Sequence, residues 1–134
     1  MSDALPKREL GSLRSLREEE RSLITKLVSG TPFEREVLDR LDRTQVRDMP
    51  DGGMGSLRFE DAGNKAMFGK EIAEGAFRDA DGVPVSVTLN LDKAGHLFEL
   101  DIFKGDGSPL RRYPAPEEFE IIHRQGKVGF APER

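Results

Sequence analysis

Across residues 79–103 apolar and polar positions alternate in two successive runs, 83–91 and 96–103, around the turn-like Asp92-Lys93-Ala94-Gly95. A period of two marks strands with one buried and one solvated face. If Asp92 to Gly95 form a four-residue hairpin loop, Leu91 faces His96, Leu89 faces Phe98, Val87 faces Leu100 and Val85 faces Ile102. Thr88 then meets Glu99 and Ser86 meets Asp101 on the other face, with Asn90 between the same apolar neighbours. A one-residue slip would exchange the faces, so the agreement of the two runs tests the register. Ala80-Asp81-Gly82 reads as a three-residue loop with Gly82 in the left-handed position. This pairs Phe77 with Val85, Gly75 with Val87 and Ala73 with Leu89, and keeps the same residues inside. Phe103 and Leu97 fall on the polar face in this register.

Upstream the period is helical. Leu16, Leu23, Ile24, Leu27 and Val28 recur on one face, behind Ser15 as N-cap and Glu18 as its capping-box partner. Gly30 supplies a stop. Thr31, with Pro32 and Glu34, starts a second helix whose stripe is Phe33, Val37, Leu38 and Leu41. "QVRDM" and "SLRF" predict strands around "PDGGMG". Residues 61–70 show no dominant period, although Met67 and Phe68 are expected to be buried. "GDGSPLRRYPAP" reads as a loop, and "PEEFEIIHRQG" as a short helix ended by Gly126. A strand through Phe119, Ile121 and His123, turning at "RQGKVGF", is the alternative.

These elements predict an α+β fold: an N-terminal helical hairpin packed on one face of a twisted antiparallel meander of four to six strands. One domain spans 1–134, with a loose lead-in at 1–14, the helical hairpin at 15–43, the sheet at 45–104 and a loop and C-terminal segment at 105–134. Phe77, Val85, Val87, Leu89, Phe98, Leu100 and Ile102 should meet Leu23, Leu27, Val37 and Leu41.

Charge changes what the polar face means. The chain carries a formal −4, but residues 51–106 alone hold six basic against eleven acidic groups. The strand-rich middle is therefore the acidic part. Nucleic-acid binding needs a positive footprint, so the balance argues against it, and the short "PLRRYP" does not reverse that. There is no cysteine, hence no disulfide and no thiolate metal site, which suits a cytoplasmic compartment. No apolar run reaches membrane-spanning length and the N-terminus has no signal-peptide core, so no membrane partner is expected.

Candidate chemistry concentrates on that face. Glu74, Thr88 and Glu99 form one row, Ser86 and Asp101 the next, and Phe103 lies beside them, a candidate interaction surface with an aromatic flanked by acids. Glu74, Glu99 and Asp101 are also the carboxylates that a small metal-dependent hydrolase would use. The plain alternative is the wet side of a sheet. "DMPDGGMG" lacks the phosphate-loop pattern and reads as a turn, and "DADG" and "NLDKAG" lack a full calcium ladder. His96 and His123 are far apart, no nucleophile elbow is present, and no cofactor is expected. Arg111, Arg112 and Tyr113 are suited to an anion or an acidic partner, or to a solvated loop.

"DGGMGSLRF", "DADGVPVSVTLN" and "LFELDIFKGDGSPLRRYP" together resemble a family of small uncharacterised bacterial proteins, over roughly residues 13–114. The resemblance implies a compact α+β domain with an antiparallel sheet and brings no catalytic set. In size and style such proteins are similar to immunity proteins that neutralise polymorphic toxins. The leading expectation is thus a non-enzymatic, cytoplasmic protein-binding module that presents an acidic face to a basic protein. A carboxylate-based enzyme and a structural or assembly subunit are the rivals, and the oligomeric state is left open.

Overall fold

The computed structural model describes residues 10–62 and 65–125. The first nine residues of the lead-in, and the Gly126 stop with the turn after it, lie outside the described residues. The elements are β1 (Arg14–Ser15), α1 (Glu18–Val28), α2 (Glu34–Leu41), β2 (Gln45–Asp48), β3 (Leu57–Phe59), β4 (Phe68–Arg78), β5 (Pro84–Asp92), β6 (Leu97–Lys104) and β7 (Glu120–Arg124). The strands form one antiparallel sheet in the order β1-β2-β3-β6-β5-β4-β7. Both helices pack on one face of it.

The sheet has seven strands, not four to six, and is not a plain meander. The hairpins β4–β5–β6 fold back so that β6, not β4, lies beside β3. Two further strands close the edges. Ser15 does not cap α1, because Arg14 and Ser15 pair with Val46 and Gln45 as β1. The cap moves to Arg17, whose N–H is accepted by the Glu20 carboxylate at 2.8 Å. At the other edge, the tail is a strand and not a helix. Pro116–Glu118 make one 3-10 turn, after which β7 pairs with β4. Lys26 and Arg124 tie this segment to the end of α1. Lys26 Nζ donates to the Pro116 and Phe119 carbonyls, and Arg124 donates to those of Leu27 and Lys26.

The first hairpin has the expected register: Phe77 opposes Val85, Gly75 opposes Val87 and Ala73 opposes Leu89. Gly82 has φ +82°, and Asp79 N–H closes the loop on the Val83 carbonyl at 3.0 Å. The second hairpin differs by two residues, with Val87 opposite Ile102 and Leu89 opposite Leu100. Two events cause this. The loop has three residues, closed by Asp92 N–H to the His96 carbonyl at 2.8 Å, with Gly95 at φ +90°. That shift of one would have exchanged the faces. A bulge then restores them: Leu91 opposes Leu97, Asn90 opposes Glu99, and Phe98 is the extra residue.

Leu97 therefore joins the core at 3% exposure. Phe98 stays buried at 7% exposure but outside that cluster, beneath the Arg58 guanidinium, which lies 4.5 Å from its ring centroid. Met67 and Phe68 are exposed, not buried, because β4 begins opposite Asp92 at the hairpin tip. The core joins Leu23, Ile24, Leu27, Val28, Val37 and Leu41 of the helices to Val85, Val87, Leu89, Leu100 and Ile102 of the sheet. At about 1.5–3 kcal/mol for each such side chain, burial here is the main stabilising term.

Candidate functional site

The face opposite the helices is a polar grid set by the strand register. Arg47, Arg58, Glu99, Asn90 and Glu71 form one row across five strands. Asp101, Thr88, Glu74 and His123 form the next, and Phe103, Ser86, Ala76 and Glu120 the third. Glu74 opposes Thr88 as expected. The third member of that row is Asp101 and not Glu99, and Ser86 opposes Phe103 and not Asp101, because the three-residue loop and the bulge at Phe98 together move β6 two residues along β5.

Of the three carboxylates expected to gather, the structure brings together only Glu99 and Asp101. Burial, followed by the neighbouring Asp101, pushes Glu99 up to about 7. Burial also raises Asp101, against the opposing pull of its hydrogen bonds to Glu99 and Asn90. Asn90 Nδ2 donates to Asp101 Oδ2 at 2.7 Å, and Arg58 Nη1 lies 3.7 Å from Glu99 Oε2. Burial and the neighbouring acid thus push both carboxyls toward their neutral forms, so the face carries less charge than its residue count suggests. Phe103 stands open in the next row, 55% exposed.

Glu74 has different partners. Glu71, Glu74 and His123 place one donor atom each within 4.8 Å of one another. His123 Nε2 lies 2.5 Å from Glu71 Oε2 and 3.7 Å from Glu74 Oε1. Alternation along the chain does not mark this cluster. Residues three apart on a regular strand face opposite ways, and His123 reads equally well as a helical residue. Only the bulges of β4 and the pairing of β7 assemble it.

The loop motifs converge at one end of the sheet and are already occupied. In "DGGMG", the Asp51 carboxylate accepts the N–H groups of Gly53, Met54 and Ser56 at 3.2, 3.1 and 2.9 Å. The donors a phosphate would need are spent on an internal anion, which is why this is a turn. Lys104 Nζ, fully buried, bridges Asp79 at 2.8 Å and Asp81 at 2.7 Å and also donates to the Pro109 carbonyl. Burial would raise Asp79, but Lys104 and the N–H groups of Arg111, Ala80 and Arg112 hold it well below the usual carboxylate range. Arg111 and Arg112 also pair with Asp81 and Glu118, each at 3.3 Å. Tyr113 donates to the buried Glu20 carboxylate at 3.2 Å, which Arg14 also grips through both oxygens. A cleft of about 330 Å³ opens between these loops, lined by Arg17, Ser56, Leu110, Arg111 and Tyr113 among others. Its cations are committed to carboxylates of the same chain, so the Arg111–Tyr113 segment, open to either an anion or a solvated-loop reading, fastens loops.

A family model described as a domain of unknown function (DUF6984) matches residues 13–114. The chain belongs to this family. The DUF6984 segment takes in both helices, β1 to β6, the loop clasp and the whole Glu99–Asp101–Phe103 patch, whereas β7 with His123 follows it. No curated protein and no solved structure matches the chain. No helix among the described residues is long and apolar enough to cross a membrane.

Proposed function

We propose that this DUF6984 member is a non-enzymatic, cytoplasmic protein-binding module, immunity-like in manner, whose open sheet face receives a basic protein. The observation that carries this is Phe103, a large aromatic 55% exposed on a sheet face that no described helix covers, one row from the Glu99–Asp101 pair. Aromatics ringed by polar groups are the usual anchors of protein interfaces. Glu71, Glu74, Glu99, Asp101 and Glu120 outnumber Arg47 and Arg58 on the grid, which favours a cationic partner through steering and register.

The raised Glu99 carboxyl gives this reading a specific signature. A lysine or arginine docked against Glu99 and Asp101 favours their fully ionised form and expels the proton. Affinity should therefore strengthen as pH rises from 6 to 8, through the region where Glu99 titrates.

Affinity capture from the native host tests the proposal. The expected result is a stoichiometric basic protein that is released by high salt and retained better at pH 8 than at pH 6. It should be lost from the doubly substituted Glu99→Lys/Asp101→Lys chain and from Phe103→Ala, the latter, at an exposed position, with wild-type melting behaviour. A partner held equally well by both variants would remove the open face from consideration, and absence of any stoichiometric basic protein would remove the reading itself.

A further inference from the structure

We infer that Glu71, Glu74 and His123 form a binding site for a borderline divalent cation of the Zn²⁺ class, on the open face where β4 meets β7. This site uses none of Glu99, Asp101 and Phe103, so its test does not depend on the protein-binding reading.

The three side chains share a face because the backbone departs from regularity twice at this point. On an unbroken strand Glu71 and Glu74 would point to opposite sides, since the side-chain period is two. A register shift between Glu71 and Ala73 lets Ile72 and Ala73 both enter the core, so both glutamates emerge on the open side. A second shift, between Glu74 and Gly75 against β7, sets Ile122 out of pairing and brings His123 opposite Glu74. Bulges recur beside functional sites because they re-aim side chains. Here two of them aim at one point.

The donor set selects the metal. Two carboxylates cancel the charge of a dication, and a neutral imidazole supplies a nitrogen that Zn²⁺ and its neighbours accept readily. Ca²⁺ and Mg²⁺ favour six or more oxygens in their shell, and an imidazole gives them none. A tetrahedral Zn²⁺ with bonds of about 2.1 Å holds its ligand atoms about 3.4 Å apart. The separations of His123 from the two glutamates, 2.5 and 3.7 Å, bracket that value and all three donor atoms lie within 4.8 Å, a spread that rotation of partly exposed side chains can close. Exposures of 35% for Glu71, 32% for Glu74 and 47% for His123 leave the outward side open to water or a substrate atom.

The test uses the full chain, freed of metal by chelation and titrated with Zn²⁺ by calorimetry and with Co²⁺ by visible absorption. One equivalent should bind with a dissociation constant in the micromolar range or tighter, with Co²⁺ bands showing nitrogen–oxygen ligation and the melting temperature rising with Zn²⁺. His123→Ala and Glu74→Gln should each weaken binding about tenfold or more, while His96→Ala, a control outside the cluster at the β5–β6 turn, leaves it unchanged. Both site positions are partly exposed, so circular dichroism and the metal-free melting temperature should match wild type; His123→Gln serves as a second variant if His123→Ala does not fold. No saturable single-equivalent binding, or binding unaffected by losing His123, would overturn the site.

Discussion

A carboxyl that resists ionisation leaves a mark on stability. In the unfolded chain Glu99 titrates near its ordinary 4.5; in the folded sheet it titrates at about 7. Between those values the unfolded state sheds the proton and the folded state keeps it, so native stability falls as pH rises and levels off above pH 7. Glu99→Gln removes this dependence. Its advantage over wild type should be nil at pH 4.5 and reach about 1–2 kcal/mol at pH 8, after allowance for screening of a half-buried group. Thermal melts at the two pH values measure it, and an equal effect at both would mean that folding does not raise the Glu99 carboxyl. That Glu99 and Asp101 lie on one face is legible from their spacing alone. That Glu74 belongs elsewhere is not, because its partners Glu71 and His123 are set by irregular backbone and by a strand from the tail. Arg58 over Phe98 is equally invisible, being a contact between β3 and a bulged residue of β6.

Turn chemistry explains which elements could be read. Gly82 and Asp79 define a three-residue loop, and everything paired across β4–β5 follows from it. At Asp92 the same chemistry operates, since the carboxylate Oδ1 accepts N–H from both Ala94 and His96 at 2.9 Å. Counting that loop correctly would still have set the faces wrongly without the bulge at Phe98. A bulge is one residue tolerated by tertiary packing, and nothing local announces it. Gly75 shows how closely such packing is drawn. A Cβ placed there would lie 2.3 Å from Cζ of Phe119, whose ring meets Phe77 edge-on with centroids 6.2 Å apart. The ring occupies the space a side chain would need on β4. Gly75→Ala should therefore cost about 1–3 kcal/mol by overpacking, and much less when Phe119 is already Leu. A double-mutant cycle reads the coupling; simple additivity would show that something other than the Phe119 ring opposes alanine, since strand propensity favours alanine over glycine.

At the scale of the molecule, the helical hairpin, the edge strands and the loops each close a different side of one sheet. α1 and α2 cover the core face, β1 and β7 pair with what would be bare edges, and the 51–56, 79–83 and 105–113 loops fasten one end. The class of fold and the α1–α2 stripe follow from period alone. The strand order does not, because it depends on β6 returning to β3 across long separations in sequence. The fastening of the loops has a chemical corollary. Lys104 is a surface-type residue with its amine sealed from solvent and enclosed by Asp79, Asp81 and the Pro109 carbonyl. In the native protein it should escape acylation by amine reagents that modify exposed Lys93 within minutes. Residue-resolved mass spectrometry would then find Lys104 labelled only as fast as the domain opens. Prompt native-state labelling of Lys104 would show the clasp opening on its own. Otherwise this one lysine is a built-in clock, counting unfolding events without any added probe.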